Sequence, residues 1–269
     1  MCFRRSIAAL AAILAVACAL PVAHAAGPIA PHRAVYDLSL AKARSSRAAS
    51  SVDGTMTFSW KDVCDGWSIA YETQMELVFP DRGSRAVSWR YTAWESNDST
   101  RMRFFLKRAM NGKTTLERRG RARKGPDGGE AVITQPEKRT IALQPDTMFP
   151  GEHSRALLDA ARAGERFLYT RVFDGTGEND GLFVANAAIL DAKRGTPPDL
   201  ESPLLTDTPS WRVNLAFFAP DDPEGTPQSE QRVRYYANGI AGTLTLDYGN
   251  FVVRARLDDL SALDRPDCE

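Results

Sequence analysis

The chain has 269 residues, of which 43% are hydrophobic, and it carries 34 basic and 34 acidic residues. A chain of this length and apolar content can bury a substantial core. The balanced charge argues against a generic nucleic-acid-binding protein, because such proteins present an excess of positive charge.

The N-terminus has the pattern of an export signal. Arg4 and Arg5 precede an apolar stretch from Ile7 to Leu20 that is short for a membrane span. The small residues of Ala23-His24-Ala25 match the site that signal peptidase reads, so we expect cleavage after Ala25 and a periplasmic protein. A membrane anchor and a lipidated Cys18 are the alternatives.

Removal of residues 1–25 leaves two cysteines, Cys64 and Cys268. In an oxidising compartment two cysteines most simply form one disulfide, and two free thiols are the alternative. The loop between them spans most of the chain. The chain-entropy model therefore gives such a bond roughly 5 kcal/mol of stabilisation as an upper figure.

Period-two alternation predicts β-strands along most of the remaining chain. From Trp67 to Phe79 the odd positions are mainly apolar and the even positions mainly polar, which is typical of a strand with one buried face. The same pattern recurs in shorter segments, which are Ala34–Leu40, Thr55–Trp60, Val87–Trp94, Met102–Leu106, Ala131–Thr134, Thr140–Leu143, Phe167–Phe173, Leu182–Leu190, Trp211–Phe217, Val233–Tyr236, Thr243–Tyr248 and Phe251–Leu257.

Dipeptides typical of β-hairpin turns separate several of these segments, among them Asn111-Gly112 and Asn238-Gly239. This succession of short antiparallel strands predicts an all-β protein built as a barrel or a strongly curled sheet. Neither an internal repeat nor a low-complexity linker divides the sequence, so we predict a single domain over residues 26–269.

One segment has helical rather than strand periodicity. Glu152–Ala163 places Leu157 and Leu158 on one side and is followed by Gly164, a residue favoured just after a helix. We predict one helix of about three turns. Because a large barrel cannot fill itself with side chains, this helix is expected to occupy the interior of the curled sheet.

Few residues beyond the signal could support catalysis. Two histidines follow residue 25, His32 and His153, and the chain contains neither an H-E-x-x-H motif nor a G-x-S-x-G elbow. We interpret both histidines as solvated or hydrogen-bonded structural residues. The prediction is a protein without catalytic residues, cofactor or metal ion.

The segment Asp174–Gly181 is rich in oxygen-bearing side chains and glycine. Asp174, Thr176, Glu178 and Asp180 alternate as in a calcium loop, but the flanking helices and the glutamate at the twelfth position are missing. The tip of a β-hairpin explains the same residues, and we prefer that interpretation.

Charge is distributed unevenly between residues 101 and 124, where ten residues are basic and one, Glu117, is acidic. On alternating strands these residues would form a positive face, with Arg119, Arg121 and Arg123 as a candidate interaction face for anionic envelope material or an acidic partner. A solvated outer face that discourages edge pairing is the alternative. The ten basic residues are Arg101, Arg103, Lys107, Arg108, Lys113, Arg118, Arg119, Arg121, Arg123 and Lys124.

Five short landmarks are spread along the chain after the signal. They are His32-Arg33-Ala34-Val35-Tyr36, Cys64-Asp65-Gly66-Trp67, Phe149-Pro150 before a helix that carries His153, Arg171-Val172-Phe173-Asp174-Gly175, and a cysteine next to the C-terminus. In this order they resemble the EipB-type cell-envelope integrity proteins of alphaproteobacteria. The resemblance implies a β-spiral, a nearly closed antiparallel sheet with a helix across its centre, and a disulfide that maps onto Cys64 and Cys268.

The resemblance also implies a periplasmic role in maintaining envelope integrity under stress, without a defining catalytic activity. Two functions remain open: a binding or scaffold module, and a carrier of a lipid or other amphiphile in a hydrophobic pocket between sheet and helix. An enzyme acting on envelope polymers would require a carboxylate pair in a cleft.

We expect a monomer that binds envelope proteins or anionic envelope components and no nucleic acid. After signal cleavage no segment of the sequence is long and apolar enough to span a membrane as a helix. The disulfide would join an early strand to the end of the sheet, and we expect it to lock the seam of the curled sheet.

Overall fold

The structure is a computed structural model that describes residues 29–176, 180–194, 200–221 and 225–268. The predicted signal peptide with its cleavage site after Ala25, the alternative lipidation site Cys18, and Glu178 of the candidate calcium loop lie outside these residues. Across the described ranges, no helix is long and apolar enough to cross a membrane.

In these residues the chain forms one sheet of 15 strands and one helix, α1, at Pro150–Ala163. The strands are β1 His32–Ala43, β2 Ser51–Asp62, β3 Gly66–Phe79, β4 Gly83–Ser96, β5 Arg101–Met110, β6 Lys113–Gly125, β7 Gly128–Gln135, β8 Arg139–Leu143, β9 Thr147–Met148, β10 Phe167–Phe173, β11 Leu182–Lys193, β12 Ser210–Phe218, β13 Ser229–Tyr236, β14 Ala241–Asp247 and β15 Phe251–Ala262.

The first and last strands lie side by side in the middle of the sheet. β1 pairs with β15 through eleven residues and with β2 on its other side. From this central pair, β2 to β8 follow in sequence toward one edge, and β14 to β9 follow toward the other. Neighbouring strands are antiparallel except β9 and β10, which are parallel.

The two edges of the sheet approach each other along a seam. Lys124 of β6 donates from Nζ to the carbonyl oxygen of Thr147 in β9, at 2.8 Å. Arg139 of β8 forms an ion pair with Asp180 in the turn between β10 and β11. The sheet is therefore nearly closed and barrel-like, which confirms the predicted fold class.

Helix α1 fills the interior, as predicted. The backbone N–H of Phe149 donates to the carboxylate of Glu152 at 3.3 Å, and Gly164 ends the helix with a φ of 78°, a conformation that favours glycine. Leu157 and Leu158 are only 2% and 3% exposed, and each belongs to a cluster of buried side chains from the surrounding strands.

A second apolar cluster lies beneath β4 to β8 and reaches across the seam. Phe104 of β5 contacts Phe173 of β10 edge-on, with ring centroids 5.7 Å apart. Gly120 of β6 makes room for this ring, because a Cβ atom there would lie 2.6 Å from it. The seam is thus closed by aromatic packing as well as by polar contacts.

Two strands, the long β6 and the two-residue β9, are not predicted by alternation. β6 lies within the basic run, and its inward positions include Arg118 and Gly120, which interrupt the apolar pattern. The register with β5 on one side and β7 on the other nevertheless makes Lys113–Gly125 a central part of its half of the sheet.

The disulfide joins Cys64, in the turn between β2 and β3, to Cys268 in the tail after β15, with Cα atoms 5.6 Å apart. Both positions lie at the same end of the central strands β15, β1, β2 and β3, whereas the seam lies at the outermost strands. The expectation that the bond locks the seam is therefore wrong. It fixes the C-terminal tail to the centre of the sheet.

Cys268→Ser should lower the free energy of unfolding, because the unfolded chain regains the freedom of a loop of 204 residues. Closure of so long a loop is worth up to roughly 5 kcal/mol. Thermal unfolding followed by circular dichroism should show a melting temperature lower by more than about 5 °C. In dithiothreitol, the wild-type protein should have the same melting temperature as the variant. A wild-type melting temperature that dithiothreitol leaves unchanged would show that the disulfide does not stabilise the fold.

Candidate functional site

Six basic side chains project from the outer face of two neighbouring strands. Successive residues of a strand point to opposite faces, and the inward positions of β5 are the buried residues Met102, Phe104 and Leu106. The alternate positions therefore point outward. We call these six residues the basic ladder: Arg101, Arg103 and Lys107 of β5, and Arg119, Arg121 and Arg123 of β6.

The register places like charges directly opposite each other. Arg101 faces Arg123, and Arg103 faces Arg121. Cross-strand neighbours have Cβ atoms about 5 Å apart, and like charges at that distance destabilise a sheet. These two facing pairs place four guanidinium groups close together, which lowers the free energy of unfolding of the protein.

Aromatic rings support several of these guanidinium groups. The guanidinium carbons of Arg103 and Arg101 lie 4.4 and 5.6 Å from the ring centroid of Trp94. Arg119 does not face an arginine but lies 4.6 Å above the ring of Phe105. Such cation–π contacts attract the cation without neutralising its charge.

Carboxylates offset little of the charge. Glu117 lies 3.4 Å from Arg119, Glu130 lies 3.4 Å from Arg123, and both arginine side chains stay more than half exposed, at 57% and 73%. Within the part of the chain that the structure describes, no carboxylate lies within 4.0 Å of the other four members of the basic ladder. The ladder is a net positive surface on a nearly neutral protein.

An open groove of about 1360 Å³ lies on the same outer face and begins at Lys107 and Arg119 of the basic ladder. Five acidic and five basic residues line it, and some are paired across strands, such as Arg90 with Glu72 at 2.8 Å. The charge of the groove is therefore balanced, in contrast to that of the ladder.

A buried carboxyl group, Glu95, is missed by sequence reasoning. It lies on β4 beneath the start of α1, where its Oε1 accepts a hydrogen bond of 2.7 Å from the backbone N–H of Gly151. Burial raises the pKa of Glu95 to about 7, opposed by this hydrogen bond and by the charge of Arg155. The hydrogen bond to Gly151 holds the start of the helix in place. Glu95 is fully buried and therefore not accessible to a substrate.

Asp174, at the start of the candidate calcium loop, forms hydrogen bonds with a neighbouring residue of the protein. The Asp174 carboxylate accepts hydrogen bonds from the backbone N–H and the hydroxyl of Thr176, at 2.7 and 2.8 Å. Burial raises the pKa of Asp174 to about 6, opposed by the bonds from Thr176. This geometry fits the hairpin-tip interpretation, and the described ranges contain no group of three or more His, Cys, Asp or Glu side chains that could hold a metal.

The two histidines are buried and lie in different elements. The Nδ1 of His32 lies 2.8 Å from the carbonyl oxygen of Ala30, at the start of β1. Burial lowers the pKa of His32, and it lowers the pKa of His153 in α1 to about 4. Both are structural residues of the interior, and neither is solvated.

The fold and the basic ladder define a class of protein: a nearly closed, barrel-like β-sheet that surrounds one helix and is positively charged on part of its outer face. The sequence model of the EipB-like family matches residues 23–264, and the chain belongs to that family. The resemblance seen in the sequence is thus confirmed.

The chain is 30% identical over 243 residues to the cell envelope integrity protein EipB of Brucella abortus (strain 2308), a match that covers 88% of this chain and 85% of that protein. It is also similar to the crystal structure of a β-barrel-like protein of a domain of unknown function from Brucella abortus. That match has a TM-score of 0.81 and 26% sequence identity, and it covers 88% of this chain and 100% of the other.

Glu95→Gln should remove a pH-dependent loss of stability. The folded protein keeps the Glu95 proton up to about pH 7, whereas an unfolded glutamate loses it near 4.5, so this group lowers the free energy of unfolding as pH rises between those values. The free energy of unfolding of the variant relative to wild type should therefore increase by roughly 1–3 kcal/mol between pH 4.5 and 8.

Urea unfolding at the two pH values measures this difference. Glu72→Gln on the neighbouring strand is the matched control, since the hydrogen bond from Arg90 lowers the pKa of Glu72 and gives its contribution the opposite sign. A difference between Glu95→Gln and wild type that stays constant with pH would show that Glu95 titrates normally.

Proposed function

We propose that this protein maintains cell-envelope integrity in the periplasm as a non-enzymatic binding module, and that the basic ladder is its docking surface for anionic membrane lipids. Family membership and the name of the relative from Brucella abortus support the envelope role. The predicted export signal supports the compartment, with residues 26–269 as one domain. The observation that supports the docking surface is that arginines of β5 and β6 lie directly opposite each other at two positions of the sheet.

A solvated face needs no facing arginines, which weaken the sheet that carries them. Protection of a sheet edge does not explain them either, because charges that prevent edge pairing belong on edge strands. β5 and β6 are each paired on both sides, and the sheet edges are β8 and β9. Binding of an anionic partner explains why the charges lie there.

The spacing of the basic ladder favours several adjacent anions over a single small one. Facing side chains are about 5 Å apart, and successive outward residues of one strand are about 7 Å apart. This array can contact more than one phosphate group, and guanidinium groups bind phosphate through paired hydrogen bonds. A membrane surface rich in anionic lipids presents such a set of phosphates.

The interior of the protein favours a module over a carrier with its pocket between sheet and helix. Leu157, Leu158, Ala160 and Ala161 of α1 are each at most 6% exposed and pack against the strands. Among the residues that the structure describes, none from α1 lines the groove beside the basic ladder or the cavity beside the segment 200–209, so neither opening lies between sheet and helix.

The double variant Arg121→Gln/Arg123→Gln should bind anionic membranes about 10- to 100-fold more weakly than wild type, since a basic residue near an anionic surface contributes about 1 kcal/mol. It removes both facing pairs and leaves Arg101 and Arg103 above Trp94. Sedimentation with phosphatidylglycerol–phosphatidylcholine vesicles at low and high salt measures binding. The melting temperature of the variant should equal or exceed that of wild type, because like-charge repulsion is relieved.

Arg33→Gln/Arg254→Gln, on the outer face of β1 and β15, is the control with the same loss of charge and should keep most of the binding. Equal loss in both double variants would mean that net charge alone acts. Wild type that binds no anionic vesicle at low salt would reject the membrane surface as the partner, and binding of an acidic periplasmic protein through the same arginines would assign the ladder to that partner instead.

A further inference from the structure

A second concave site lies on the other half of the sheet, where three strands separate. β14 pairs with β15 only from Leu244 opposite Ala255 to Asp247 opposite Val252. The register between β13 and β14 is also interrupted, between Val233 and Tyr235. A cavity of about 330 Å³ opens at this point, beside the segment 200–209.

The floor of this cavity is apolar. Leu205, Val233, Tyr236 and Leu257 line it, and each is at most 3% exposed. On the side of β1, the hydroxyl of Tyr36 donates to the carbonyl oxygen of Ala241 at 2.8 Å and bridges the separated strands. The cavity is therefore an open recess with an apolar floor, and its other lining residues include Arg212, Thr243 and Thr245.

Three arginines stand at the mouth of the recess. Arg212 and Arg234 share a single carboxylate, Asp191, at 2.8 and 3.3 Å. Arg232 is exposed, and among the residues that the structure describes it has no carboxylate within ion-pair distance. The mouth therefore carries an excess of positive charge directly above an apolar interior.

We propose that this recess binds a single-chain anionic amphiphile. The hydrocarbon chain would lie against Leu205, Tyr236 and Leu257, and the carboxylate or phosphate head would accept hydrogen bonds from Arg232 and Arg234. The volume is at the lower end of the range of small-molecule sites, about 300–1000 Å³, and suits one chain better than a two-chain lipid. This site is separate from the basic ladder and does not depend on it.

Isothermal titration calorimetry of the full chain with laurate, below its critical micelle concentration, tests the proposal. We expect saturable binding of one laurate per chain, tighter by about three- to fourfold for each carbon added between octanoate and laurate. Dodecyl phosphate tests the same site with a phosphate head, and the tighter of the two ligands identifies the preferred head group. Dodecyltrimethylammonium and inorganic phosphate should not bind.

Two kinds of variant locate the binding. Arg232→Gln should weaken laurate binding about tenfold, because a charged hydrogen bond is lost. Arg254→Gln on β15, two strands away from β13, does not line the recess and should have no effect. Gly242→Val should fill the recess, since a Cβ atom at Gly242 already lies 3.2 Å from the ring of Tyr236. Thr245→Trp blocks the same recess from its rim if the first variant does not fold.

Laurate binding that survives both blocking substitutions would overturn the proposal, as would equal binding of the cationic amphiphile. Binding of inorganic phosphate with the same affinity as laurate would reduce the site to a simple anion site and would also overturn it. The double variant of the basic ladder, Arg121→Gln/Arg123→Gln, should bind laurate as wild type does, so failure at one site is distinguishable from failure at the other.

Discussion

The pairing of β1 with β15 is the constraint on which the rest of the structure depends. These two strands begin and end the sheet in sequence, yet they lie at its centre, and every other strand is added outward from them. The backbone N–H of Leu263 donates to the carbonyl oxygen of Pro31 at 3.0 Å, and the disulfide ties the tail that follows. Both contacts reinforce the central pair at the same end.

The order of the strands outward from this central pair determines where the helix and the two proposed binding sites lie. The helix follows β9 at one edge, so it enters the barrel at the seam, where Lys124 and Glu152 form an ion pair beside Thr147. The basic ladder lies on strands paired on both sides, and the recess proposed to bind an amphiphile lies where strands of the other half separate. The sheet is nearly closed, and both of the binding sites proposed above open to its outside, as expected of a binding module.

The sequence predicted the local elements well and the long-range geometry poorly. Alternation from Trp67 to Phe79 and the Gly164 signal at the helix end are local patterns, and both predictions are confirmed. The seam and the facing arginines depend on register between strands, which local periodicity does not contain. Glu95 follows Tyr91 and Ala93 on the inward side of β4, but a glutamate at the end of a strand is normally solvated, and only the helix α1 packed over it accounts for its burial.

The central claim is that positive charge on the outer face of β5 and β6 serves envelope integrity. It is tested most directly in a bacterial strain that lacks this protein, by measuring growth on detergent after expression of wild type, Arg121→Gln/Arg123→Gln or Arg33→Gln/Arg254→Gln at equal periplasmic levels. The account predicts that wild type and the control variant restore growth and the ladder variant does not. Full restoration by the ladder variant would contradict it.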